Sequence, residues 1–325
     1  MKTVFQNGHL SDIPYFIQNS DFFYIQDIGK DESNRYVYPN DQLKYELDAS
    51  IVTLYDTFRD VLFPNTEDYY KELDRLPIFI QTAGQDSVSA LSAEDFQKCI
   101  SSDEVKSVPN FYKHIYLVDC QFLIGTIQNL LIGMEYCFIN YYFLLSSSGS
   151  LINHFNGDGV YEELSGITMS ISTLLESYFT KAYSILDILC KIEYELKNPL
   201  QDFSSYKKIR SSHVMWGDRK GLSINGATGT VFESCDLIRT VESIRNEIVH
   251  NGSWELHPKI FIKQQDGEII DRFMLFPDIS QGRLSTVKNR KHFFSNEVRV
   301  NDILPSIHFE FRRRLLQTIE MMQDR

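Results

Sequence analysis

The feature that most constrains the fold is a long apolar stretch near the middle of the chain, from Phe111 to Leu145. Pro109 precedes it and Ser146-Ser147-Ser148-Gly149 follows it, so residues that interrupt helices mark both ends. Polar side chains recur inside the stretch and argue against a span through lipid. They are Asp119, Gln121, Gln128, Asn129, Glu135 and Asn140. The sequence therefore predicts a buried helix or helix pair of about 35 residues and no membrane association.

Residues 1–105 form the first of two predicted regions, and we expect this region to be mostly helical. Apolar side chains spaced three and four residues apart predict a helix that ends near Pro64. Its inward positions are Leu43, Leu47, Ile51, Leu54, Tyr55, Phe58 and Leu62. Shorter helices are expected from Asn65 to Leu76 and after Ser92, since Asn and Ser are good N-cap residues.

Residues 106–325 form the second predicted region, a helical bundle with a β-hairpin inserted before its last helix. After the apolar stretch, helices are expected from Glu163 to Lys197 and from Thr230 to His250. Gln265-Asp266-Gly267 lies between two β-rich runs, which predicts a hairpin over about residues 259–275. The final helix is expected to begin at Asn296 or Asn301. Arg312, Arg313 and Arg314 are expected on its outer face. The predicted fold class is mainly α.

Charge is distributed unevenly along the chain, whose net charge is −12. Residues 1–200 hold 13 Lys and Arg and 28 Asp and Glu, which gives −15; residues 201–325 hold 19 and 16, which gives +3. The C-terminal part is therefore mildly basic. It contains a cluster of basic side chains with no acid between them, which could follow a phosphate backbone or could simply be part of the solvated surface. The members of this cluster are Arg283, Lys288, Arg290 and Lys291.

The cysteines and the N-terminus indicate a cytoplasmic protein. The five cysteines are odd in number and show neither close pairs nor metal-ligand spacing, so we expect reduced, mostly buried thiols. The first residues contain no apolar run of signal-peptide length. The histidines and carboxylates show no pattern such as His-Glu-x-x-His. We therefore expect neither a metal site nor a cofactor.

The stretch with the most specific chemistry is residues 243–252, at the end of the predicted helix that begins near Thr230. Inward positions recur at helical spacing, and Asn251-Gly252 is a helix stop signal because Gly tolerates the left-handed conformation. The inward positions are Ile238, Val241, Ile244, Ile248 and Val249. Asn246 and His250 lie four residues apart, on one helix face. Arg245 and His250 are about 140° apart around the axis, so both can border one groove.

These residue types suit metal-free cleavage of RNA. Arg is a permanent cation whose planar fork fits a phosphate group. His can take the proton of a 2′-hydroxyl or give one to the leaving oxygen, while Arg offsets the developing charge. Asn can hold either side chain in place. The same residue types also occur at helix ends for capping and solvation alone.

Arg245-Asn246 followed by His250, near a helix end, resembles the Arg-Asn-x-x-x-His motif of HEPN domains. Residues 176–187 resemble the long second helix of that superfamily, and the likeness covers roughly residues 108–325. The resemblance implies a helical bundle that dimerises to bring two motifs together. It also implies a metal-independent endoribonuclease with a toxin, antiphage or RNA-processing role. Some members carry a modified Tyr two residues after the His; Gly252 stands there, so that regulation is not expected.

The resemblance to HEPN domains implies a role for each motif residue. Arg245 would contact the scissile phosphate, His250 would act as general acid or base, and Asn246 would position one of them. Two carboxylates on the preceding helix, Glu176 and Asp187, are candidates to support Arg245; the alternative is that they are solvated or bind backbone groups. The expected partners are RNA, a second copy of the chain, and a regulatory protein that restrains the activity.

Two other functional classes stay open at this point. A non-catalytic module could use the same motif to bind RNA or protein, or to pack a dimer. A metal enzyme is the third class, and the absence of ligand spacing speaks against it. Cleavage in the presence of EDTA separates the first class from the third, and variants of Arg245 and His250 separate the first from the second.

Overall fold

The computed structural model describes residues 42–148 and 157–324, together with the backbone of four short strands nearer the N-terminus. These strands form two antiparallel pairs, β1 (Thr3–Val4) with β2 (Leu10–Ser11) and β3 (Gly29–Lys30) with β4 (Tyr36–Val37). The rest of the described chain is mainly helical, with a small antiparallel sheet before the final helix. The predicted fold class is confirmed at that level.

Five helices precede the long apolar stretch. They are α1 (Gln42–Leu62), α2 (Thr66–Leu73), α3 (Phe79–Thr82), α4 (Ala93–Ser101) and α5 (Asp103–Lys106). The predicted inward stripe of α1 is buried except at Tyr55, which is half-buried. Asn65 caps α2 through its side chain and Ser92 caps α4, as the sequence predicts. However, α2 ends at Leu73, before the predicted end at Leu76.

The apolar stretch forms one continuous helix, α6 (Phe111–Ser147), of 37 residues. Buried positions occur on most of its faces, which explains why apolar residues are not confined to one stripe. Among the described residues it is the one helix whose length and composition would allow a membrane span. Core helices of water-soluble proteins meet the same criteria, so this helix is weak support for a membrane protein.

Two helices begin later than the sequence predicts. The helix α7 (Gly166–Lys197) begins three residues after Glu163, because Glu163 ends a strand and Ser165 turns the chain. The Ser165 hydroxyl accepts the backbone N–H of Ile167 at 3.2 Å. The helix α8 (Asp236–Asn251) begins six residues after Thr230. The Thr230 hydroxyl donates to a local carbonyl and accepts the N–H of Phe232, which holds a turn instead of a helix.

A three-stranded antiparallel sheet consists of β5 (Gly159–Glu163), β6 (Ile260–Gln265) and β7 (Glu268–Phe273), in that order. The hairpin of β6 and β7 confirms the prediction. Asp266 and Gly267 both have positive φ, 52° and 78°, as a tight two-residue turn requires. The third strand, β5, was not predicted. A second, smaller hairpin follows, with β8 (Ile279–Ser280) paired to β9 (Arg283–Leu284).

The final helix, α9 (Val300–Gln323), contains Pro305 in its second turn. Proline cannot donate to the carbonyl four residues earlier, and the Tyr142 hydroxyl donates to that carbonyl, of Asn301, at 2.8 Å. The prediction that Arg312 faces outward is wrong, because its side chain is buried beside His308. Arg313 and Arg314 are half-buried and pair with Glu310.

The chain divides into two compact units, each assembled from several segments. The first unit comprises Met1–Asp48, Asn129–Ile185 and Gly226–Thr318, and it contains α8 and the three-stranded sheet. The second unit comprises Ala49–Gln128, Leu186–Asn225 and Ile319–Arg325. It has its own hydrophobic cluster, which includes Ile80, Ile100, Val105, Phe111 and Ile115. The predicted boundary after residue 105 stays a prediction.

Candidate functional site

The end of α8 has the geometry that the Asn251-Gly252 signal predicts. Gly252 adopts the left-handed conformation with φ 89°, and its N–H donates to the carbonyl of Ile248 at 3.0 Å. The chain then enters the core at Trp254, which is 1% exposed. Its ring packs against Phe179 and Phe276, with ring centroids 6.2 and 5.3 Å apart. A rigid anchor therefore follows the motif directly.

One side of α8 faces solvent, and we call it the motif face: Arg245, Asn246, Val249 and His250. Asn246 and His250 are exposed, Val249 is 50% exposed, and Arg245 is half-buried. The prediction that Val249 faces inward is wrong. At 100° per residue it lies only about 40° from Arg245, away from the core stripe. The residues of α8 that fill the core are Ile238, Thr240, Val241, Ile244 and Glu247.

The guanidinium of Arg245 is held from two sides. Its Cζ lies 4.3 Å from the centroid of the Tyr183 ring on α7, a cation–π contact. Its Nη1 donates a hydrogen bond to Oδ1 of Asn246 at 3.1 Å. Among the described residues, only Nη1 of this guanidinium has a hydrogen-bond partner, so Nε and Nη2 keep the N–H donors that an anion would need. Asn246 is thus in a position to orient Arg245, as the sequence suggests.

His250 lies on the last turn of α8 with its side chain exposed. In the part of the chain that the structure describes, no side chain forms a hydrogen bond or ion pair with its imidazole. A partner-free, exposed imidazole can exchange a proton with a bound substrate. The structure therefore brings Arg245, Asn246 and His250 onto one accessible side of one helix end.

A buried carboxylate inside the motif is the residue that sequence reasoning missed. Glu247 is 6% exposed, and its carboxylate accepts a hydrogen bond from Nδ2 of Asn251 at 2.9 Å. Nζ of Lys291 lies 3.0 Å away and Nε2 of His292 lies 3.3 Å away. The available signal was its position, because Glu247 follows Ile244 by three residues and so falls next to the apolar stripe.

The predicted basic cluster lies in a segment that runs along α8, residues 279–293, which we call the basic segment. Gly282 contacts the first turn of α8, and the N–H of Leu284 donates to the Ser243 hydroxyl at 3.2 Å. Lys291 then pairs with Glu247. Of the predicted RNA-binding residues, Arg283, Lys288 and Arg290 are exposed, and Lys291 is half-buried. The fold thus places this cluster beside the motif helix.

Asp278 fixes the return of the basic segment toward α9. Its carboxylate accepts hydrogen bonds from the backbone N–H groups of Ser295 and Asn296 and from the Ser295 hydroxyl. Burial alone would raise the pKa of this carboxyl, but these hydrogen bonds outweigh it and hold the pKa below the usual value. An ionised carboxylate therefore holds the C-terminal end of the basic segment in place.

A cleft of about 480 Å³ opens between the end of α8 and the basic segment, and we call it the α8 cleft. Its walls are Glu247 and Asn251 of α8, Leu256, and residues 289–293. Charged, amide, imidazole and apolar groups all line it. A cleft of this volume is large enough for a small ligand or for part of a larger one.

The two candidate supporting carboxylates have different partners. Glu176 accepts a hydrogen bond from the Ser253 hydroxyl at 2.7 Å, directly after the motif helix. Asp187 accepts a hydrogen bond from the backbone N–H of Trp216 at 2.7 Å. Glu176 therefore supports the loop that follows the motif, while a role for either carboxylate in orienting Arg245 stays a prediction.

Another carboxyl near the motif titrates in an unusual range. Burial raises the pKa of Glu255 to about 7, and the nearby Glu162 adds to the effect while Lys259 opposes it. The Ser253 hydroxyl, whose hydrogen is donated to Glu176, accepts the backbone N–H of Glu255 at 3.2 Å. The loop that leaves the motif helix therefore carries a carboxyl that titrates near neutral pH.

In residues 42–148 and 157–324, no three His, Cys, Asp or Glu side chains are grouped so as to hold a metal ion. No protein-family model, curated protein or solved structure matches this chain.

Proposed function

We propose that the chain is a metal-independent endoribonuclease of HEPN type, acting as a homodimer. The observation that carries the proposal is the motif face. There Arg245, oriented by Asn246 and Tyr183, shares one open helix end with an unpaired, exposed His250. The basic segment beside α8 supports the proposal, because cations there can follow a phosphate backbone.

The reaction that fits these groups is attack of a 2′-hydroxyl on its own 3′-phosphate. His250 takes the hydroxyl proton or protonates the departing 5′-oxygen, and Arg245 offsets the charge on the phosphate oxygens. The two histidines of a dimer would divide these two roles. Because both roles depend on the protonation state of this imidazole, the cleavage rate should depend on pH.

Dimerisation and a biological setting are part of the proposal. Two copies meeting near their motif faces would place two Arg245–His250 sets along one RNA strand. The resemblance to HEPN domains suggests a toxin or antiphage role. A cytoplasmic location follows from that setting, as does a regulatory partner that restrains the activity.

The experiment uses the full chain and a single-stranded RNA in excess EDTA, with a fully 2′-O-methylated copy as the matched substrate control. We expect cleavage of the unmodified strand alone, leaving 5′-hydroxyl ends and cyclic phosphates. Cleavage that requires added metal would contradict the proposal. If the protein binds the unmodified RNA and its 2′-O-methylated copy but cuts neither, it is a non-catalytic RNA-binding module.

A further inference from the structure

The α8 cleft is a feature of the structure that the motif alone does not require. Its volume of about 480 Å³ lies within the range of small-ligand sites. It shares the last turn of α8 with the motif face, since Glu247 and Asn251 line it and His250 lies between them in sequence. Around the helix axis, Glu247 is only about 60° from His250. His250 does not itself line the cleft, so a ligand there would lie on the neighbouring side of the same helix turn, away from Arg245.

One part of the cleft wall suits a phosphate group. Arg290 is exposed, and among the described residues no acidic side chain pairs with it. Lys291 is already held by the buried Glu247, so its ammonium is fixed at the wall. The two cations outnumber the single carboxylate of the lining. His292 would add a further positive charge whenever it is protonated.

The rest of the wall suits a nucleobase. Phe293 is half-buried, and Leu256 is 80% exposed, so both offer apolar surface against which a planar ring can pack. The side-chain amides of Asn251 and Asn289 each provide donors and an acceptor for a base edge. The wall is also fixed, because the Phe293 carbonyl accepts the N–H of Asp278 at 2.6 Å.

We propose that the α8 cleft binds one nucleotide of the RNA, with its phosphate on Arg290 and its base against Phe293. This assignment rests on the proposed ribonuclease function, because the bound nucleotide belongs to the RNA strand that the motif face would cut. The cleft then sets the register of the strand relative to His250. The burial of Glu247 also has a role in this proposal, because its bond to Lys291 holds the basic wall of the cleft against α8.

The test measures binding and cleavage separately. The binding probe is a fluorescent, fully 2′-O-methylated single-stranded RNA oligonucleotide, which cannot be cut, and affinity is read by fluorescence anisotropy. For Arg290→Ala we expect affinity to fall by about tenfold or more, because one charge-assisted contact is lost. The slope of log affinity against log salt should decrease by about 0.7. The matched control is Lys263→Ala, an exposed lysine on β6 outside the cleft, which should change neither quantity.

A second measurement does not depend on any variant. The same probe carrying a single 4-thiouridine is photo-crosslinked to the wild-type protein, and the attached peptide is identified by mass spectrometry. Crosslinks within residues 289–293 support the proposal. Crosslinks confined to other segments, or equal affinities of Arg290→Ala and Lys263→Ala, would overturn it. A protein that crosslinks here but never cuts RNA would refute the ribonuclease function and keep the nucleotide site.

Discussion

At the residue scale, the charged side chains of the motif have opposite environments although they are close in sequence. Arg245 and His250 are reachable from solvent, whereas Glu247 between them is buried. The helix explains the difference, because Glu247 lies about 160° from Arg245 around the axis. A buried carboxylate is tolerated only when it is paired, and Lys291 and Asn251 meet that requirement.

The carboxyl of Glu255 gives a prediction about stability and pH. Its pKa of about 7 in the folded chain is above its unfolded value, so the folded state binds the proton more tightly. The stability that this proton provides is complete at low pH and is lost as pH rises toward 7. Glu255→Gln stays neutral, and its melting temperature relative to wild type should therefore increase from about pH 5 to about pH 8.

Melting curves recorded by circular dichroism across that pH range check the prediction. Glu268→Gln, at an exposed glutamate on β7, is the matched control and should show a constant difference from wild type. A constant difference for Glu255→Gln as well would mean that burial of Glu255 does not shift its titration.

Sequence reasoning at this scale identified the exposed groups better than the buried ones. Arg245, Asn246 and His250 were recognised because their chemistry forms a motif. The apolar pattern does not identify Glu247 as buried and predicts Val249 inside, because both lie at the border of the apolar stripe. A shift of one position at such a border depends on neighbouring segments, here the basic segment, which a local pattern does not reveal.

At the element scale, the basic segment packs against α8 at a glycine, where there is no space for a side chain. Gly282 has φ +77°, and a Cβ built there would lie 2.5 Å from both the Asp236 carbonyl oxygen and the Arg239 Cβ. The Arg239 guanidinium also donates to the carbonyl of Gln281 at 2.8 Å. This close approach is what places the following cations beside the motif helix.

Gly282→Ala should therefore destabilise the fold by about 2–4 kcal/mol, since a left-handed backbone and an overpacked contact both carry a cost. Gly267→Ala is the matched control, with φ +78° but no atom within 4 Å of the added Cβ. It should cost only about 1–2 kcal/mol. Urea unfolding of the two variants measures the difference. Equal losses would show that Gly282 is needed for its backbone conformation alone.

The helices and the hairpin of β6 and β7 were predictable because their signals are local: apolar periodicity, capping residues and an Asp-Gly turn. The strand β5 was not predictable in this way, since its partner β6 lies about a hundred residues later in the chain. The start of α8 was placed too early because the Thr230 hydroxyl satisfies backbone groups in a turn. Local sequence patterns thus fail to predict strands that pair with distant segments and helix starts where side chains compete for backbone groups.

At the scale of the whole molecule, the proposed activity needs two copies. Val249 lies between Arg245 and His250 on the motif face and is 50% exposed, an apolar group among polar ones. Such a side chain is suited to the centre of an interface between two motif faces. Net charge of −12 would oppose non-specific association, so a specific apolar contact is needed to hold a dimer together.

Val249→Glu should accordingly lower both the dimer fraction and the cleavage rate per protomer, by about tenfold or more, if the side chain is central to the interface. Val160→Glu is the matched control, because Val160 is 56% exposed on β5. Sedimentation velocity and RNA cleavage at the same protein concentrations measure the two effects. Unchanged association of Val249→Glu would place the interface elsewhere.

The central claim is that the end of α8 cuts RNA through Arg245 and His250, and one comparison tests it most directly. Wild type, His250→Ala and His257→Ala are assayed on the same RNA in EDTA. His257 is exposed on the following loop and serves as the matched histidine. We predict that His250→Ala loses about 10²- to 10⁴-fold in rate while His257→Ala cuts like wild type. Equal cleavage by all three proteins would contradict the account.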